Sequence, residues 1–196
     1  FGLSNKSVYD KEKNEESYNR IRIEQLHFSP SISKTGWLNF TNLLALKFEN
    51  NKVDRTPNRY VSEPLNINSE AFSTKKFASM RYRLSYENYN HKSVPTLGMN
   101  MILESEWKTN LEKTRENYFK LFGQLDIIHR ITNNEKLVFA NGTKVKWINN
   151  NNFEFYQAST VGGSNDLRAY RAERFSGKSS FSNSSDFRFN LGQLKN

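Results

Sequence analysis

The chain contains no cysteine, which excludes disulfide scaffolds, thiolate zinc sites and thiol nucleophiles together. Long apolar runs are missing too. The longest, Leu43 to Leu46 and Leu137 to Ala140, stop after four residues, whereas a transmembrane helix needs about 20. That exclusion does not reach a membrane-spanning barrel, whose strands alternate apolar and polar residues. Histidine is scarce: His27, His91 and His129 stand apart, without the spacing of a metal site. They read as surface or lumen residues, and no metal or other cofactor is expected. Neither a Gly-x-Ser-x-Gly elbow nor a phosphate or dinucleotide loop occurs, and Gly162-Gly163 lacks the Lys-Ser/Thr that a phosphate cradle needs. The chain opens at Phe1 without a Met, basic region or apolar segment, so the expectation is a piece of something longer, any signal peptide having been removed or lying upstream.

What is present is aromatic and basic. Across 196 residues, aromatics reach 14%, too many for a disordered tail, and 29 basic against 20 acidic residues leave a net charge of +9. Such a balance suits nucleic acid, anionic lipid or acidic partners and does not choose among them.

Periodicity narrows the fold. From Ser79 to Asn90, Met80, Tyr82, Leu84 and Tyr86 alternate with Arg81, Arg83, Ser85 and Glu87, the period of two that marks a strand with one apolar face. The same pattern predicts strands over Trp37 to Glu49, Pro95 to Trp107, Phe119 to Ile131, Lys136 to Ile148 and Ser180 to Leu191. A seventh, Arg20 to Ser29, changes phase between Ile23 and Leu26 and reads as bulged. Asn141-Gly142 is a hairpin signal, but the apolar phase continues across it, so Lys136 to Ile148 is read as one strand.

These strands run roughly 10 to 13 residues against a usual mode of about 5 to 6, close to the 9 to 11 of a tilted membrane crossing. Their connections alternate in length. Ser31 to Gly36, His91 to Val94 and Thr132 to Glu135 read as short; Asn50 to Ala78, Lys108 to Tyr118 and Asn149 to Lys178 read as long. That parity predicts an all-β antiparallel transmembrane barrel spanning residues 1–196 as one partial domain, with extracellular loops 50–78 and 149–178. Trp37, Phe48, Trp107, Tyr118, Phe119 and Trp147 near strand ends fit interfacial girdles. A soluble barrel has the same alternation, and strand length with loop parity decides between them. Glu104 and Glu106 share a face at i, i+2 and read as solvated lumen charge rather than an acid/base pair.

One segment carries more. Val161-Gly-Gly-Ser-Asn-Asp-Leu-Arg-Ala-Tyr-Arg-Ala-Glu-Arg-Phe175, then Gly177-Lys-Ser-Ser-Phe181 and Ser185-Asp-Phe-Arg-Phe-Asn-Leu191, resembles the sixth extracellular loop and following strand of the BamA and TamA superfamily. These are outer-membrane assembly and translocation barrels, also called bacterial surface antigens. Asn152 to Thr160 and Pro95 to Met99 are similar to members from the Bacteroidetes group. The resemblance implies a lumen-loop motif of Gly162, Gly163, Leu167, Arg168, Ala169 and Tyr170, with Ala169 where the family usually has Gly. It also implies that Arg168, folded back into the barrel and out of bulk water, pairs with Asp186 on the inward face of the next strand. Family barrels have about 16 strands, so seven imply the middle and later part of one.

The implied function is assembly or translocation of proteins at the bacterial outer membrane; the missing catalytic motifs lead to the separate expectation that the chain is not an enzyme. Implied partners are outer-membrane lipid, unfolded client polypeptides and accessory assembly subunits. A passive porin-like or structural barrel is the first alternative. A soluble basic β-rich nucleic-acid-binding module is the second; it is disfavoured because the aromatics lie opposite the charges instead of beside them.

Overall fold

The computed structural model describes residues 21–59, 62, 69–113, 116–163, 166–168, 170 and 172–189. Its strands are β1 (Ile23–Phe28), β2 (Ser31–Thr35), β3 (Phe40–Val53), β4 (Lys75–Tyr89), β5 (Gly98–Asn110), β6 (Asn117–Arg130), β7 (Leu137–Ile148), β8 (Ser159–Val161), β9 (Phe175–Gly177) and β10 (Ser179–Phe189). The main sheet runs β1-β3-β4-β5-β6-β7-β10 with β2 also on β3, and β8 and β9 pair separately. Among the described residues this is an antiparallel meander of the barrel type, with the small β8-β9 hairpin set before its last strand. All seven expected strands are present. The ends expected at Arg20, Asn190 and Leu191 lie outside the described residues.

Three expectations need correction. Ser31 to Thr35 is strand, not connection: β1 pairs from Ile23↔Val53 to Phe28↔Phe48, and β2 continues the same register from Ser31↔Ala45 to Thr35↔Thr41. Pro30 interrupts the ladder because it has no N–H, yet its carbonyl still accepts from the Leu46 amide at 3.0 Å. Nor is there a bulge between Ile23 and Leu26, where pairing with β3 is one-to-one. Ile23 faces inward opposite buried Val53, whereas Leu26 faces outward and is exposed; the apparent phase change is two apolar residues on two faces. Loop parity is also weaker than expected. With β5 reaching Asn110 and β6 starting at Asn117, the link at 111–116 is shorter than the one at 90–97. Asn110 tightens it, its side-chain oxygen accepting from the amides of Glu112 at 2.9 Å and Lys113 at 3.2 Å.

β7 runs unbroken through Asn141-Gly142, pairing Gly142 with Asp126 on β6 and with Ser184 on β10. Gly142 serves that approach and not a turn: a Cβ there would sit 2.9 Å from Asp126 Oδ1. Asp126 is held in place by Asn100 Nδ2 at 3.0 Å and Gln124 Nε2 at 2.5 Å.

The chain divides into two compact units. In the first (1–30, 46–80 and 108–117), Val53, Phe77 and Ala71 are buried beside a polar cluster. Glu49 is its centre, contacted by Lys108, by Lys47 Nζ at 2.5 Å and by Gln25 Nε2 at 3.3 Å. In the second (31–45, 81–107 and 118–196), Ile128, Val138 and Ala140 form a small inward cluster against Tyr89. Their strand neighbours Leu125, Ile127, Val145, Phe187 and Phe189 are exposed on the outward face. Among the described residues, more large apolar side chains lie outside than inside, the reverse of a water-soluble sheet.

Candidate functional site

The segment between β7 and β10 forms the site. Its base is the β8-β9 hairpin, paired from Ser159↔Gly177 to Val161↔Phe175. Two glycines then turn the chain, Gly162 at φ 134° and Gly163 at φ 91°, conformations that residues with a Cβ rarely adopt. At Gly163 a Cβ would also press to 3.3 Å of Ala172. The tip closes on itself: Gly163 N donates to Tyr170 O at 3.0 Å, Asp166 N to Gly163 O at 3.1 Å and Tyr170 N to Leu167 O at 3.1 Å. The Tyr170 ring meets Phe175 edge-on at 5.2 Å. Leu167 is half-buried, and Ala169 lies outside the described residues.

Arg168 and Asp186 are brought together. Arg168 Nη2 donates to Asp186 Oδ2 at 2.9 Å and Nη1 to Oδ1 at 3.3 Å, the two-pronged geometry in which guanidinium and carboxylate bond best. In this chain the Arg168 side chain is 68% exposed and that of Asp186 29%. Asp186 faces inward opposite Ala140 of β7.

A second set of contacts was not anticipated. Asp166, two residues before Arg168, receives Lys144 Nζ on Oδ1 at 3.0 Å and Lys146 Nζ on Oδ2 at 3.4 Å. Lys146 also donates to the Thr160 carbonyl at 2.6 Å, and Lys120 to that of Gln157. Burial alone would raise the Asp166 carboxyl, but the Lys144 hydrogen bond and the Lys146 charge outweigh it and hold the pKa below the ordinary aspartate value. Strand alternation places Lys144 and Lys146 on the polar face; no sequence signal says that a loop carboxylate, rather than solvent, meets them.

Between loop and strands lies a cavity of about 460 Å³. Asp126, Asp166 and Asp186 face Lys144, Arg168 and Arg188 around it, so it is charged yet nearly balanced. Away from it, Glu104 Oε2 accepts from Arg83 Nε at 2.7 Å, which occupies one member of the Glu104/Glu106 pair in an ion pair.

A family model for the Omp85 superfamily domain matches residues 2–195. Among solved structures, the chain is similar to the crystal structure of BamA from Haemophilus ducreyi lacking POTRA domains 1-3, with 20% identity and a TM-score of 0.61 over 78% of this chain. The match covers 31% of that chain, so the present one spans about a third of its length. At that identity the likeness concerns the fold. No curated protein matches.

Proposed function

The chain belongs to the Omp85 superfamily, and from that premise we propose that it forms part of a bacterial outer-membrane barrel that assembles or translocates other proteins. The observation that carries this reading is the loop tip held against the inward face of the sheet by Arg168 and Asp186. A machine that must hold one working conformation has a use for such a latch. The outward face, with Phe28, Leu46, Leu125 and Phe187 exposed, takes outer-membrane lipid. Unfolded client polypeptides are the substrate, met through strand pairing at a sheet edge, and accessory subunits are the further partners. No bond-making chemistry is assigned to any residue.

The test is reconstitution of the full-length protein in lipid vesicles with an unfolded outer-membrane client. Client folding should exceed that in empty vesicles, and should fall in Arg168→Ala while the barrel itself stays folded. Solute flux without any effect on client folding would favour the porin-like alternative.

A further inference from the structure

The loop tip has two charged holds of opposite polarity, and they are unequal. Resting on the reading that this loop works from the inward face, we infer that Asp166, seated between Lys144 and Lys146, is the principal positioning residue of the tip and that Arg168 is the lesser hold. Lys144 and Lys146 stand at i, i+2 on one face of β7, so both ammonium groups enter the same space. Each carboxylate oxygen of Asp166 takes its own lysine, at 3.0 and 3.4 Å. In register, Lys144 lies beside Gln124 and Ser182, and Lys146 beside Phe122 and Ser180.

Burial separates the two holds. Asp166 is 13% exposed and its lysines 19% and 27%, against 68% for the Arg168 side chain, and screening by water weakens the wetter pair more. Connectivity separates them as well. Lys146 bonds Asp166 in the tip and Thr160 in the stem, so one ammonium fastens both ends of the loop. The Gly162-Gly163 turn fixes the Asp166 backbone through its bond to the Gly163 carbonyl, aiming the carboxylate before any lysine arrives.

The experiment is amide hydrogen exchange on the full-length protein in detergent, read at residues 162–174 and compared with strand amides as a folding control. Asp166→Asn keeps the shape and removes the charge. It should speed exchange in the loop about tenfold or more, the worth of one charged hydrogen bond, while strand exchange stays put. Asp166→Glu, which still reaches the lysines, should stay within about threefold of the unmodified protein. Arg168→Ala should open the loop less than Asp166→Asn does. A larger effect from Arg168→Ala, or an unchanged loop in Asp166→Asn, would overturn the inference. Exchange is read without any client, so a failure of client folding in vesicles would strike the proposed function and leave this result standing.

Discussion

The ion pair between Arg168 and Asp186 allows a worked magnitude. Two nitrogens meet two oxygens at 2.9 and 3.3 Å, and two unit charges about 4 Å apart attract by roughly 1 kcal/mol in a water-like dielectric. Full burial would make loss of one partner cost about 3 to 5 kcal/mol. The guanidinium is two-thirds exposed, so the estimate falls to the range of solvent-exposed pairs, up to about 1 kcal/mol, with the two-pronged geometry placing it near the top of that range. A double-mutant cycle of Arg168→Ala and Asp186→Ala, read from loop opening by hydrogen exchange, should therefore show a coupling of about 0.5 to 1 kcal/mol. Global unfolding should hardly change, because the strand ladder does not depend on the tip. Additive single effects would refute the contact; a coupling above about 3 kcal/mol would refute the argument from exposure.

Two further outcomes follow from charge and burial. Lys108→Met should destabilise the protein by about 1 to 2 kcal/mol in urea unfolding, because it strips one of two lysines from a carboxylate only 3% exposed while Lys47 stays on its other oxygen. Adding Glu49→Leu should recover most of that loss, and a double variant as unstable as the single one would contradict it. Asp166 titrates below the ordinary aspartate value in the folded chain, so its contribution is complete above the unfolded pKa of about 3.9. It is lost as pH falls through the lower folded value. The groups around it are Lys144 and Lys146 on β7, Arg168 in the loop, Tyr89 on β4, Asp126 on β6 and Asp186 and Arg188 on β10. Loop protection factors, taken relative to the intrinsic exchange rate at each pH, should fall at acid pH in the unmodified protein and change less in Asp166→Asn.

The strands were legible because a sheet with one face toward lipid and one toward charge repeats every two residues, and β4 to β7 do so over most of their length. β7 could be read through Asn141-Gly142 because the residues beyond the pair keep the parity of those before it, although the glycine serves Asp126 rather than a turn. β2 escaped because Ser31-Ile-Ser-Lys-Thr35 offers one apolar residue, Ile32, and its strand character comes from β3 beside it. The link at 111–116 was overestimated because the polar residues Thr109, Asn110 and Asn117 look like loop while their backbones complete the ladder. In the site, the resemblance pointed to Arg168 and Asp186. The lysine seat of Asp166 was hidden, since alternation tells which side chains share a face and not which distant loop comes to meet them.

The central claim, a sheet with lipid on one face and an aqueous lumen on the other, is tested most directly on four consecutive residues of β6. The chain has no native cysteine, so Gln124→Cys, Leu125→Cys, Asp126→Cys and Ile127→Cys can each be placed in the full-length protein in lipid vesicles and exposed to maleimides. Positions 124 and 126 should react with a water-soluble reagent, and 125 and 127 only with one that partitions into the bilayer. Equal reaction of all four with the water-soluble reagent would contradict the account.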